Sequence, residues 1–248
     1  MRIILAVLFF LSPMLVSAQT PRPQEVSYKS GDETIHGVLY APAGHGRFPA
    51  IVVIHEWWGL DDWVKEQAQK LAEQGYVALA VDLYRGKSTS DPEEAHELMR
   101  GLPLDRGMRD LKAAADYLRT RKDVDPKRVG SIGWCMGGGW SLGLAENDPQ
   151  LKATVINYGQ LSSDAATLKP IHAAILGMFG GQDRGIPPES VEKFSQQMKA
   201  LGKKVETKIY PDAGHAFENP NNTKGYRAED AKDAWQRTVQ FLAANLKK

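Results

Sequence analysis

The chain's single cysteine, Cys135, lies in "VGSIGWCMGGGWSLG" (residues 129–143), with Gly133 two positions before it and Gly137 two positions after. A thiol between such glycines matches the nucleophile-elbow pattern G-x-S-x-G, with sulfur in place of oxygen. The turn is so tight that side chains at the flanking positions would collide, and glycine avoids this. A helix beginning just after the sulfur aims its free N–H groups and positive dipole end at it, which favours thiolate. The N–H of Met136 then faces a developing oxyanion. A structural role as a small buried hydrophobe is the bland alternative for Cys135.

An elbow of this kind takes its partners in the chain order nucleophile, acid, histidine. The acid should follow a late strand, and Asp183 follows one in "ILGMFGGQDRGIP". The histidine should follow the last strand, and His215 does so in "KIYPDAGHAF". His215 would take the proton, and Asp183 would fix its tautomer and stabilise the imidazolium. Asp212 is closer to His215 in sequence but reads as a turn former, and Asp164 as a solvated loop residue. His36, His45, His96 and His172 read as structural or solvated, and His55 as packing at a strand end.

Three other motifs fail on spacing. "HEWWG" has Gly59 where a zinc-binding H-E-x-x-H needs its second histidine. "GKS" at residues 86–88 has Val81 where a phosphate loop needs glycine, and "GGGWSL" has Leu142 where a dinucleotide fingerprint needs its last glycine. Six histidines without paired spacing predict neither metal nor cofactor.

The elements that must position these groups alternate. β-Branched residues 48–56 ("FPAIVVIHE") read as a buried strand. A helix "DDWVKEQAQKLAEQG" follows, N-capped by Asp61 or Asp62 and stopped by Gly75. Residues 76–83 form a second strand, 105–121 an amphipathic helix and 128–134 a third strand. "LKATVINYG", "AAILGMFGG" and "KVETKIYPD" are further strands. "PESVEKFSQQMKALG" and "YRAEDAKDAWQRTVQFLAANL" are helices. The polar, alternating "EVSYKSGDETIHGVLYAP" reads as an antiparallel hairpin at the sheet edge. The pattern predicts an α/β fold: a mostly parallel twisted sheet, helices on both faces and an antiparallel N-terminal hairpin. Ligands in such sheets bind beyond the carboxyl ends of the strands, which makes Trp134 and Tyr158, at two of those ends, candidate substrate contacts.

The chain opens "MRIILAVLFFLSPMLVSAQT". A basic start, an apolar run over 3–11 and small residues at 16–18 predict a signal peptide over 1–18, cleaved before Gln19, and a periplasmic or secreted product. The run is too short for a ~30 Å hydrocarbon core, which argues against an anchor. Residues 19–248 are read as one domain. Lys plus Arg number 31 and Asp plus Glu 30, and loss of Arg2 makes them equal. Without basic runs there is no footprint for nucleic acid or for a membrane after signal removal. The expected partner is a small molecule and the expected state a monomer. One cysteine cannot form an internal disulfide.

"HEWWGL", "DLYRG", "GWCMGG", "GGQD" and "AGHAF", in this order, make the chain resemble the dienelactone hydrolases, which have the α/β-hydrolase fold. The resemblance covers nearly all of residues 37–246 and implies a Cys-His-Asp hydrolase of a small ester or lactone. It implies that Glu56 contacts the cysteine, keeping the thiol protonated at rest and assisting its deprotonation when substrate arrives. It implies a second oxyanion donor, the N–H of Trp57. It also implies that Arg85 pairs with a substrate carboxylate, for which a guanidinium fork is suited. Matched members carry another arginine four positions after the histidine, where this chain has Asn219; Arg184 and Arg227 are candidate substitutes. Trp57, Trp58 and Trp134 suggest a bulky apolar cleft. A general carboxylesterase of the same fold and a non-catalytic or redox-responsive protein on the same scaffold are the competing readings.

Overall fold

The computed structural model describes residues 20–247; the export signal expected over 1–18 lies outside them. β1 (Gln24–Ser30) and β2 (Glu33–Tyr40) form the antiparallel hairpin, turning through Gly31 at φ 59°. There follow β3 (Phe48–Ile54), α1 (Asp62–Glu73), β4 (Val77–Val81), α2 (Pro92–Arg100), α3 (Leu104–Thr120) and β5 (Val124–Trp134). Next come α4 (Met136–Asn147), β6 (Ala153–Asn157), the single-turn α5 (Ala165–Leu168) and β7 (Ala174–Gly180). The chain continues with α6 (Pro188–Ala200), β8 (Val205–Tyr210) and α7 (Ala228–Leu246). The sheet order is β1-β2-β4-β3-β5-β6-β7-β8; β2 meets β4 antiparallel, and every later pairing is parallel.

The strands are apolar on both sides because both sides are covered. Along β3, Val52 and Ile54 face a core shared with Leu111 and Leu118 of α3 and Leu142 of α4. Ile51 and Val53 face a second core with Val64 and Leu71 of α1 and Leu242 of α7. Such a side chain contributes roughly 1.5–3 kcal/mol on burial, so β3 alone anchors both layers. Asp61 is the N-cap of α1, accepting from Val64 N at 3.0 Å, and Gly75 closes the connection at φ 86°. Asp164, read as a solvated loop residue, caps α5 by accepting from Thr167 N.

Two elements differ from the sequence reading. β5 starts earlier: Val124 pairs with Phe48 ahead of a register shift, and regular pairing resumes at Val129. α2 lies where no element was assigned. Asp91 caps it and Pro92 opens it; its apolar face is only Ala95, Leu98 and Met99, with Ala95 alone buried and Leu98 packed on the core.

The elbow sits where β5 ends and α4 begins, with Cys135 at φ 54° and ψ −119°. A Cβ on Gly133 would lie 2.0 Å from Gly137 O, and one on Gly137 would lie 2.4 Å from Ile54 O and 2.5 Å from His55 O. All these neighbours are backbone. Gly137→Ala is therefore expected to lower stability by about 1–3 kcal/mol, read as a fall in the urea midpoint; an unchanged midpoint would show that the turn has slack.

Candidate active site

Among the described residues four non-glycine residues have positive φ: Arg85, Cys135, Tyr158 and Ala216. They follow β4, β5, β6 and β8 at the carboxyl edge of the sheet. Strained backbone of this kind persists only where surrounding structure holds it, and here it surrounds one place.

Cys135 Sγ lies 3.0 Å from His215 Nε2, and His215 Nδ1 lies 2.6 Å from Asp183 Oδ2. Asp183 is buried, and its other oxygen accepts from Gly185 N at 2.9 Å and Ile186 N at 3.2 Å. An acceptor at Nδ1 makes that nitrogen the donor and turns Nε2 to the sulfur. Burial opposes charge on His215, but the hydrogen bonds to Asp183 and Cys135, and the charges of both, outweigh it and push its pKa up to about 10. Burial likewise raises Asp183, yet the His215 partner and two N–H groups hold it below the ordinary carboxylate value. The histidine loop is tied down by Asn222, whose amide donates to His215 O at 3.1 Å and to Ala216 O at 3.2 Å.

Above the sulfur opens a cavity of about 740 Å³, lined by Glu56, Trp57, Trp58, Cys135, His215 and Asn219 among others. Met136 is the first residue of α4, so its N–H has no intrahelical acceptor. The Trp57 N–H donates to no backbone acceptor among the described residues. Both groups are thus free on the strand ends that flank Cys135.

Glu56 enters the cavity but is turned away from the sulfur. Its Oε2 accepts from Asn219 Nδ2 at 2.7 Å, and no hydrogen bond joins it to Cys135 among the described residues. Burial raises the Glu56 pKa to about 7, against the pull of Asn219. Glu218 is its neighbour: burial, with the charge of Glu56 adding to it, raises Glu218 to about 8, although Trp134 Nε1 donates to its Oε2 at 3.3 Å. Glu56 Oε1, Glu218 Oε1 and the Tyr158 hydroxyl are buried without a protein hydrogen-bond partner among the described residues.

Three expected substrate contacts are corrected. Arg85 does not reach the cavity. Its Nη2 lies 2.8 Å from Asp110 Oδ2 and 3.4 Å from Glu33 Oε2. The Asp110 side chain is fully enclosed, and a buried carboxylate demands a cation. Trp134 is 1% exposed and packs on Trp63 behind the site. Tyr158 is fully buried, its ring 5.2 Å from that of His215, so it supports the histidine and does not touch the cavity. Arg184 and Arg227 are exposed and do not line the cavity either. The bland readings of two histidines fit: His55 is buried and accepts from Leu83 N, and His96 packs on Trp57. Glu218 and Asn222 were not anticipated, since nothing in their sequence context distinguishes them from loop residues.

Among the described residues no group of His, Cys, Asp and Glu is clustered to hold a metal, and no helix is long and apolar enough to cross a membrane. The sheet, its helices and the elbow define an α/β-hydrolase fold. Residues 35–246 match the model of the dienelactone hydrolase family, and the chain belongs to that family. It is 36% identical over 215 residues to a "Putative carboxymethylenebutenolidase" of Salmonella typhimurium, covering 81% of this chain and 79% of that protein. A relative of the same name from Methylorubrum extorquens is 33% identical, covering 88% and 79%. The crystal structure of a "Putative Dienelactone Hydrolase" from Klebsiella pneumoniae superposes with a TM-score of 0.83 at 29% identity, over 91% of this chain and 99% of that one.

The two raised carboxyls have a consequence for stability. Their folded pKa values, about 7 and about 8, exceed the ordinary 4.5. The folded state therefore holds protons that the unfolded chain releases, and their contribution to stability is lost as pH rises from about 4.5 to about 8. Glu218→Gln should flatten the fall of the urea midpoint across that window; a slope equal to the wild type's would contradict the buried pair.

Proposed function

We propose that the protein is a cysteine hydrolase of small esters or lactones, exported by residues 1–18 to the periplasm or medium and acting as a monomer without cofactor. What carries this reading is the unbroken line Cys135–His215–Asp183 at the floor of a cavity. The proton shared between Sγ and His215 Nε2 rests on Nε2, whose pKa is raised by its partners, as Sγ bonds to the substrate carbonyl carbon. The oxyanion so formed lies between the N–H groups of Trp57 and Met136. Collapse breaks the bond to the leaving oxygen, which takes the proton from Nε2, and leaves a thioester on Cys135. Water then adds to the thioester and gives its proton to His215. The C–S bond breaks, and the proton returns to the sulfur as the acid departs.

Losing one oxyanion donor in such a site costs about 10²–10³ in rate. Glu56 fits a supporting role. Ionised, it opposes thiolate by repulsion; protonated, or drawn toward Asn219, it does not.

The substrate need not carry a carboxylate. Arg85 is bound to Asp110, and Asn219, in the place of the family's second arginine, is bound to Glu56. This favours a general carboxylesterase over a carboxylate-selective enzyme.

A screen of aryl esters and lactones should find activity that Cys135→Ala lacks, by several orders of magnitude. p-Nitrophenyl acetate should give a burst equal to the enzyme present and leave an acetyl group on Cys135 by mass spectrometry. Arg85→Ala should lower stability while leaving the ratio of KM values for carboxylate-bearing and neutral esters unchanged. A selective rise in KM for the carboxylate-bearing esters would restore the anion-binding role of Arg85. Full activity in Cys135→Ala would end the thioester reading.

A further inference from the structure

A second cavity, of about 790 Å³, opens along α4, the helix that starts right after the nucleophile. Its walls include Met99, Leu104, Met108, Met136, Trp140 and Leu161. It adjoins the first: Met99 lines both, and Met136 is the residue next to Cys135. Leu104 at its edge is 79% exposed, one of two large hydrophobic side chains so exposed among the described residues. A monomeric surface seldom leaves apolar groups together in water without a use for them.

The chemistry distinguishes the two cavities. In acyl transfer the histidine hands its proton to the departing oxygen, so the leaving alcohol must lie beside His215. The first cavity has His215 and, from its loop, Ala216, Asn219, Asn221, Asn222, Thr223 and Lys224 in its wall. The second cavity contains no residue of that loop. An acyl group held on Sγ, with its oxygen toward the Met136 N–H, therefore has its free path on the Met136 side.

We infer that this groove is an acyl-binding subsite and that the preferred substrates are esters of medium-length aliphatic monocarboxylic acids. The inference rests on the thioester reading above and deepens it. Asp105 also lines the groove and disfavours an acyl chain that ends in a second carboxylate.

The test is a series of p-nitrophenyl esters: acetate, butyrate, hexanoate, octanoate and decanoate. Wild type, Leu104→Asp, Gly143→Leu and Cys135→Ala are compared. A Cβ at Gly143 would meet only the terminal methyl of Met108, at 3.0 Å, so leucine there fills the groove without striking backbone. In the wild type kcat/KM should rise about tenfold or more from acetate to octanoate. Both groove variants should abolish that rise while keeping acetate within about twofold of wild type. Octanedioate monoesters should be poorer than octanoate.

A flat profile that still depends on Cys135 overturns the subsite and leaves the thioester reading standing. So does an equal loss on every ester in the groove variants. Alkyl acetates of increasing alcohol length form the control arm, and a rise there in place of the acyl series overturns the acyl assignment. If no ester is cleaved in a Cys135-dependent way, both readings fail.

Discussion

A left-handed turn at a non-glycine residue governs this molecule. Cys135 must take φ 54° to leave β5 and enter α4, and it can do so only because Gly133 and Gly137 carry no side chains into the backbone around it. The turn lifts the sulfur above the sheet edge, leaves the first N–H of α4 unpaired and brings Sγ to the imidazole of His215. Cys135 N donates to Asn157 O, and the Asn157 amide donates back to Gly133 O, so the neighbouring strand clamps both ends of the turn. The strain at 135 is held by a sheet covered on both faces, which is why the fold and the chemistry cannot be separated.

Behind that turn lies a second constraint. Two carboxyls meet there, buried Glu56 and half-buried Glu218, the charge of the first raising the cost of charging the second, with Asn219 and Trp134 as their donors. Neither donor is charged. A neutral amide stabilises a carboxylate less than a guanidinium does, so the pair binds protons up to around neutrality. Asn219 thus does two things together: it places a neutral amide in the cavity wall and sets the proton affinity of Glu56, the residue expected to restrain the thiol.

Most of the sheet was legible because strands buried on both faces read as continuous apolar runs, as in "AIVVI" and "VALAV". That Cys135, Asp183 and His215 converge was legible for the same reason: a tight turn and strand ends leave a mark in the sequence. α2 was not, because it is short and its apolar face is just Ala95, Leu98 and Met99, a single turn between polar loops that is easily passed over beside the cap signal at Asp91 and Pro92. Arg85 shows the other limit. A motif fixes where an arginine stands in the chain, but its partner was decided by Asp110, an enclosed carboxylate on a distant helix that Ser30 and Arg109 also contact. Asn219 and Glu218 belong to the same class, since their roles arise from tertiary burial and not from local pattern.

The contact between sulfur and imidazole is best tested by proton NMR titration of the His215 ring in the wild type and in Cys135→Ala. With Cys135 present the ring should titrate near the high value of about 10 that its partners impose; without the sulfur its pKa should fall, because the hydrogen bond and the charge that Cys135 contributes are gone while those of Asp183 remain. Identical titration curves in the two proteins would mean that sulfur and imidazole do not interact, and the chemistry built on their contact would fall with it.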